Sequence, residues 1–120
     1  MKRATVRIKN LALRTIIGFN DWEREKKQDV LINIEVEFDA GRAVETDREE
    51  DTVDYKNITK QVIEGVENTG YHLLETLADR VLQIVMAQPG VLKATVEVDK
   101  PHSLRFTESV SIVVSADRQR

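Results

Sequence analysis

The chain has 120 residues, 41% hydrophobic and 32% charged, with a net charge of −3. That length predicts one domain, residues 1–120, with a core of its own, and the acidic balance argues against a nucleic-acid partner. With no cysteine and two histidines, His72 and His102, the sequence excludes disulfides, thiolate metal sites and cysteine nucleophiles, and it makes a multi-histidine metal site unexpected.

No apolar run approaches the roughly 20 residues of a membrane span, and the basic start is not followed by the apolar stretch of a signal peptide. A cytoplasmic protein without a membrane partner is expected.

The segment from Ala4 to Phe19 is rich in β-branched residues. Val6 and Ile8 share one parity, whereas Leu11, Leu13 and Ile17 fall on the other, so the strand pattern predicts a bulge or a bend near Lys9-Asn10. Gly18 punctuates, and the polar stretch Phe19 to Gln28 reads as a connection. Val30, Ile32, Ile34, Val36 and Phe38 then alternate with Leu31, Asn33, Glu35 and Glu37, which predicts a strand with one buried face. Ala40 to Asp51 reads as an acidic connection.

From Tyr55 the period becomes helical, with Ile58, Val62, Ile63 and Val66 on one stripe. Asp51 or Asp54 is placed to cap this helix, and Gly70 to end it in a left-handed turn. A second helix carries Leu73, Leu74, Leu77, Val81, Leu82, Ile84 and Val85, and Pro89-Gly90 stops it. Leu92, Ala94, Val96 and Val98 form a third strand; Val110, Ile112 and Val114 form a fourth. The order ββααββ predicts an α+β fold: an antiparallel four-stranded sheet with two helices on one face.

Polar residues that interrupt this pattern are candidates for function. Lys100 continues the parity of Ala94, Val96 and Val98. Either the strand reaches it and its ammonium emerges on the core side, or the strand ends first and Lys100 is solvated. Glu75 lies near the start of an apolar helix, where a carboxylate either compensates the helix dipole or accepts paired N–H donors from a ligand. Tyr55 stands at a loop-to-helix junction, as a packing residue or a hydrogen-bonding phenol. Glu23 follows Trp22 in a loop, an ordinary place for a solvated carboxylate. His102 and Arg105 either bind an anion or are plain loop charges.

Four segments, in order and spanning nearly the whole chain, resemble the dihydroneopterin aldolase family: Ile17-Gly18 with Asp21-Trp22-Glu23, Asp51-Thr52-Val53-Asp54-Tyr55, Leu73-Leu74-Glu75-Thr76-Leu77-Ala78, and Val98-Asp99-Lys100-Pro101. Asp99 to Phe106 with Ser109-Val110-Ser111, and Gln28 to Asn33, look like the family's epimerase branch. The Asp21-Trp22-Glu23 loop looks more like some of its aldolases.

The resemblance implies the tunnelling fold (T-fold) and a homo-oligomer of four-subunit rings stacked as an octamer, with sites between subunits. It implies a small-molecule pterin substrate, no cofactor and no metal. The chemistry implied is retro-aldol and aldol reaction at C2′ of 7,8-dihydroneopterin triphosphate, giving the 2′-epimer. The alternative is aldolase cleavage that releases 6-hydroxymethyl-7,8-dihydropterin and glycolaldehyde. Lys100 would be the main proton carrier, Tyr55 a relay, and Glu23 would orient the side-chain hydroxyls. Glu75 would hold the pterin edge, with backbone groups near Leu74 and Val53 completing the plane. His102 and Arg105 would hold a triphosphate.

Overall fold

The computed structural model describes residues 1–118. Its strands are β1 (Arg3–Thr15), β2 (Gln28–Asp39), β3 (Val91–Pro101) and β4 (Ser109–Asp117). They form one antiparallel sheet in the order β1-β2-β3-β4, an α+β architecture. The helices α1 (Gly41–Thr46), α2 (Tyr55–Glu67) and α3 (Leu74–Met86) all lie between β2 and β3 in sequence. The helix α3 packs over β3 and β4, α2 packs over β1, and the two helices pack on each other.

Alternation built the sheet as the pattern required. Val30, Ile32, Ile34 and Val36 are all but fully buried, as are Ala94, Val96 and Val98 beside them. The helices close this face with Ile58, Val62 and Val66 from α2 and Leu77, Ala78, Val81 and Val85 from α3. Each fully buried Val, Leu or Ile contributes roughly 1.5–3 kcal/mol relative to exposure. The parity change in β1 is a bulge: pairing with β2 shifts between Ile8 and Leu11, and Asn10 takes a φ of 51°. The Asn10 N–H donates to Asn33 Oδ1 at 2.8 Å, which satisfies the amide that the bulge removes from the ladder.

Three local expectations are corrected. The connection from Ala40 to Asp51 contains α1 and a short 3-10 turn, Glu49–Asp51. Gly70 is not a left-handed cap. The C-cap of α2 is Asn68, and the hydroxyls of Thr69 and the buried Thr15 each lie 2.8 Å from the Val66 carbonyl. With side chains satisfying the helix end, a glycine turn is not needed. Leu92 does not share the inward row of β3, because the register shifts where Phe38 meets Val91, and Val91 takes the buried place. No helix among the described residues is long and apolar enough to cross a membrane.

Candidate active site

Strand β3 continues through Lys100, which pairs with Val110 of β4, so the lysine holds the core-side parity to the end of the sheet. Its Nζ forms an ion pair and hydrogen bond with Glu23 Oε2, and the two side chains are only 14% and 5% exposed. The loop carboxylate that looked solvated is therefore buried. Glu23 sits on a 3-10 turn, Asp21–Arg24, and its carboxylate is gripped from several sides. Oε1 accepts the Asn20 Nδ2 at 2.8 Å and the Asn20 backbone N–H at 3.3 Å. Oε2 accepts Gln28 Nε2 at 3.3 Å, and the same amide donates to the Ile17 carbonyl at 3.0 Å. Burial pushes the Glu23 carboxyl up, but the bonds from Lys100, Gln28 and Asn20 together outweigh it and bring it down to about 2.

Gly18 makes this geometry possible. Its φ is 124°, outside the range of ordinary L-residues, and a Cβ there would stand 2.3 Å from the Glu23 carboxyl carbon. Arg24 ties the turn to the α2–α3 connection by donating to the carbonyls of Gly18 (3.0 Å), Tyr71 (3.1 Å) and Gly70 (2.6 Å). The Gly18 N–H also donates to Tyr71 at 3.2 Å. Tyr71 lies just before α3, so the start of that helix, with Leu74 and Glu75, is anchored to the turn that carries Glu23. Glu75 is exposed in the first turn, and Leu74 is half-buried. The first bond at the start of α3 runs from the Leu77 N–H to Leu73 at 3.3 Å, so the amides of Leu74, Glu75 and Thr76 precede the helical ladder.

Val53 and Tyr55 lie elsewhere. Val53 is buried, with its Cγ2 in van der Waals range of the position a Cβ on Gly90 would take, at the start of β3. Nine residue steps along the strand separate Val91 from Lys100, about 30 Å at some 3.3 Å per step. Tyr55 is 52% exposed at the first turn of α2, which Asp54 caps by accepting the Asn57 N–H at 2.9 Å. An open groove of about 570 Å³ runs beside it. Within one chain the sequence-derived candidates thus form two groups, Glu23, Glu75 and Lys100 towards one end of β3, Val53 and Tyr55 at the other.

His102 and Arg105 follow Lys100 in the exposed β3–β4 loop. His102 has a φ of 58°, and its N–H donates to the Glu108 carbonyl at 3.3 Å. The Arg105 guanidinium lies 4.9 Å from the centre of the Phe106 ring. No cluster of three metal-ligating side chains occurs among the described residues.

The profile of the dihydroneopterin aldolase (FolB) family matches residues 6–115. The chain belongs to this family. It is 47% identical to dihydroneopterin triphosphate 2′-epimerase of Pseudomonas aeruginosa, covering 96% of this chain and 94% of that protein. It is 41% identical to the enzyme of the same name from Escherichia coli K12, over 96% of each chain. The crystal structure of E. coli dihydroneopterin aldolase in complex with neopterin superposes with a TM-score of 0.90 at 26% identity, covering 94% of this chain and 98% of that one.

Asn20, Arg24 and Gln28 support the site without having been marked as functional. Asn20 had a readable signal, an Asn-x-x-Glu spacing at a turn entrance. Arg24 had none, and Gln28 only its place in the Gln28 to Asn33 likeness, because they bind main-chain carbonyls and a carboxylate that only the fold brings near.

Proposed function

We propose that the protein is an enzyme of pterin metabolism that inverts C2′ of 7,8-dihydroneopterin triphosphate by retro-aldol and aldol steps. The observation that carries this reading is the buried Lys100–Glu23 pair, in a chain whose relatives at 47% and 41% identity are named as that epimerase.

Glu75 accepts the N3–H and 2-amino donors of the pterin edge, a side-by-side pair that suits a carboxylate. The amides at Leu74 and, from another subunit, the backbone near Val53 complete the ring's plane. A base removes the proton of the 2′-hydroxyl, the C1′–C2′ bond breaks, and its electron pair enters the C6=N5 imine to give an enamine and an aldehyde. Lys100 carries the protons, Tyr55 relays them, and Glu23 orients the side-chain hydroxyls through the Lys100 ammonium that it holds. Re-addition to the opposite aldehyde face inverts C2′, and loss of the aldehyde yields the aldolase products. His102 and Arg105 hold the triphosphate and so retain the fragment.

Lys100 and Tyr55 lie too far apart to serve one site in a single chain. Both outer strands, β1 and β4, leave an edge unpaired within the chain, which favours joining sheets between copies. We therefore read residues 1–120 as one T-fold domain of a cytoplasmic homo-oligomer, rings of four stacked as an octamer, with each site shared by neighbours.

The deciding experiment supplies dihydroneopterin and its triphosphate separately and reads both products. The 2′-epimer of the triphosphate as main product supports the proposal; glycolaldehyde as main product establishes the aldolase reading, which the likeness to the E. coli aldolase favours.

A further inference from the structure

A carboxylate offers about four lone-pair directions. Four donors reach Glu23: two from Asn20 on Oε1, and those of Gln28 and Lys100 on Oε2. No direction remains for a substrate hydroxyl unless a donor withdraws. Gln28 is also held from behind. Its Nε2 has two hydrogens, one directed at Oε2 and one at the Ile17 carbonyl. Turning the amide over would set its oxygen against two acceptors, so one orientation is fixed.

We propose that Gln28 is a positioning residue of the reaction: through Glu23 Oε2 it keeps the carboxylate ionised, so that the Lys100 proton passes outward to substrate rather than sideways onto Glu23. The inference rests on the proton-carrier reading of Lys100. When an N–H bond of Lys100 breaks, its proton bonds to the substrate acceptor and the electron pair stays on Nζ. Glu23 then loses its charge-assisted bond, and the Gln28 N–H remains to satisfy Oε2. Without Gln28, Oε2 has one donor fewer and a higher proton affinity, so return of the Lys100 proton to Glu23 competes better with its transfer to substrate.

Among the described residues Lys100 from β3 is the charged side chain that bonds Glu23; Asp21 and Arg24 share its turn, and exposed His72 lies on the connection to which that turn is tied. The Arg24 guanidinium is occupied by three carbonyls. The low proton affinity of Glu23 agrees with this donor set.

The test compares wild type with Gln28→Met across pH, with triphosphate substrate. The expected result is a kcat lower by about tenfold, the scale of a lost hydrogen bond to a charged group. KM should stay within about twofold, since the acceptor of the ring is untouched. The acid limb of the kcat profile should move to higher pH. A folded variant with unchanged kcat and limb, or one changed only in thermal stability, overturns the proposal.

Side-chain amide NMR gives a second readout that does not need the Gln28 variant. In Lys100→Met, the Gln28 amide hydrogen on Oε2 should move downfield, because it faces a carboxylate stripped of its ammonium; an unmoved resonance overturns the shared-oxygen geometry. Wild-type protein inactive on both pterins contradicts the proposed function itself, a result distinct from an active wild type whose variant matches it.

Discussion

The Lys100 end and the Tyr55 end of the molecule are built differently. At the first, a charged pair is buried, and every lone pair of its carboxylate meets a donor from the turn, from β2 or from β3. At the second, a half-exposed phenol stands over an open groove, on a helix end held by a single aspartate cap. The first is organised by the chain's own fold. The second supplies a surface that another molecule can complete. In the proposed reaction Lys100 acts from the fixed end, where a buried ion pair tolerates little misplacement. Tyr55 acts from the open end, as a relay in a site that a neighbouring copy would complete.

Breaking the fixed end should have the largest effect. Lys100→Ala should lower turnover by about 10²–10⁴-fold while leaving pterin affinity largely intact, read by steady-state kinetics beside calorimetry. Gly18→Ala comes next. It forces a side chain into a φ of 124° and against the Glu23 carboxyl. A loss of about 1–3 kcal/mol in chemical denaturation is expected, with a drop in turnover because the ion pair is displaced.

Acid sharpens the contrast further. The Glu23 carboxyl lies at about 2 in the folded chain against an ordinary 4.5. The folded state therefore binds fewer protons than the unfolded one in that window. The resulting stability is fully present above the ordinary value and is lost as pH falls towards 2. Melting temperature should fall across this range in wild type and fall less in Glu23→Gln. The smallest effect belongs to the open end: Asp54→Ala should cost about 1 kcal/mol by denaturation, the worth of one N-cap.

Much of this was legible in the residues, and the reasons are physical. The parity change between Ile8 and Leu11 announced a bulge or a bend because side chains of period two cannot change face within a regular strand, and the pairing with β2 shows the bulge. The parity of Lys100 offered the core side, but only the pairing with Val110 showed that the strand runs that far. Short α1 left no period to read, since six residues make fewer than two turns. The burial of Glu23 was hidden because its surroundings come from Gly18, Gln28 and Lys100, the last 77 residues away. Resemblance to the family named Val53, Tyr55, Glu75 and Lys100, and only the strand length of β3 showed that one chain cannot bring them all together.

The proposed sharing of each site between copies is tested directly by subunit mixing. Lys100→Ala and Tyr55→Ala proteins, each nearly inactive alone, would be unfolded together in equal amounts and refolded. Random assembly should give about one quarter of sites with both halves intact, and activity should return to about that fraction of wild type. A mixture no more active than its two components would contradict the shared site.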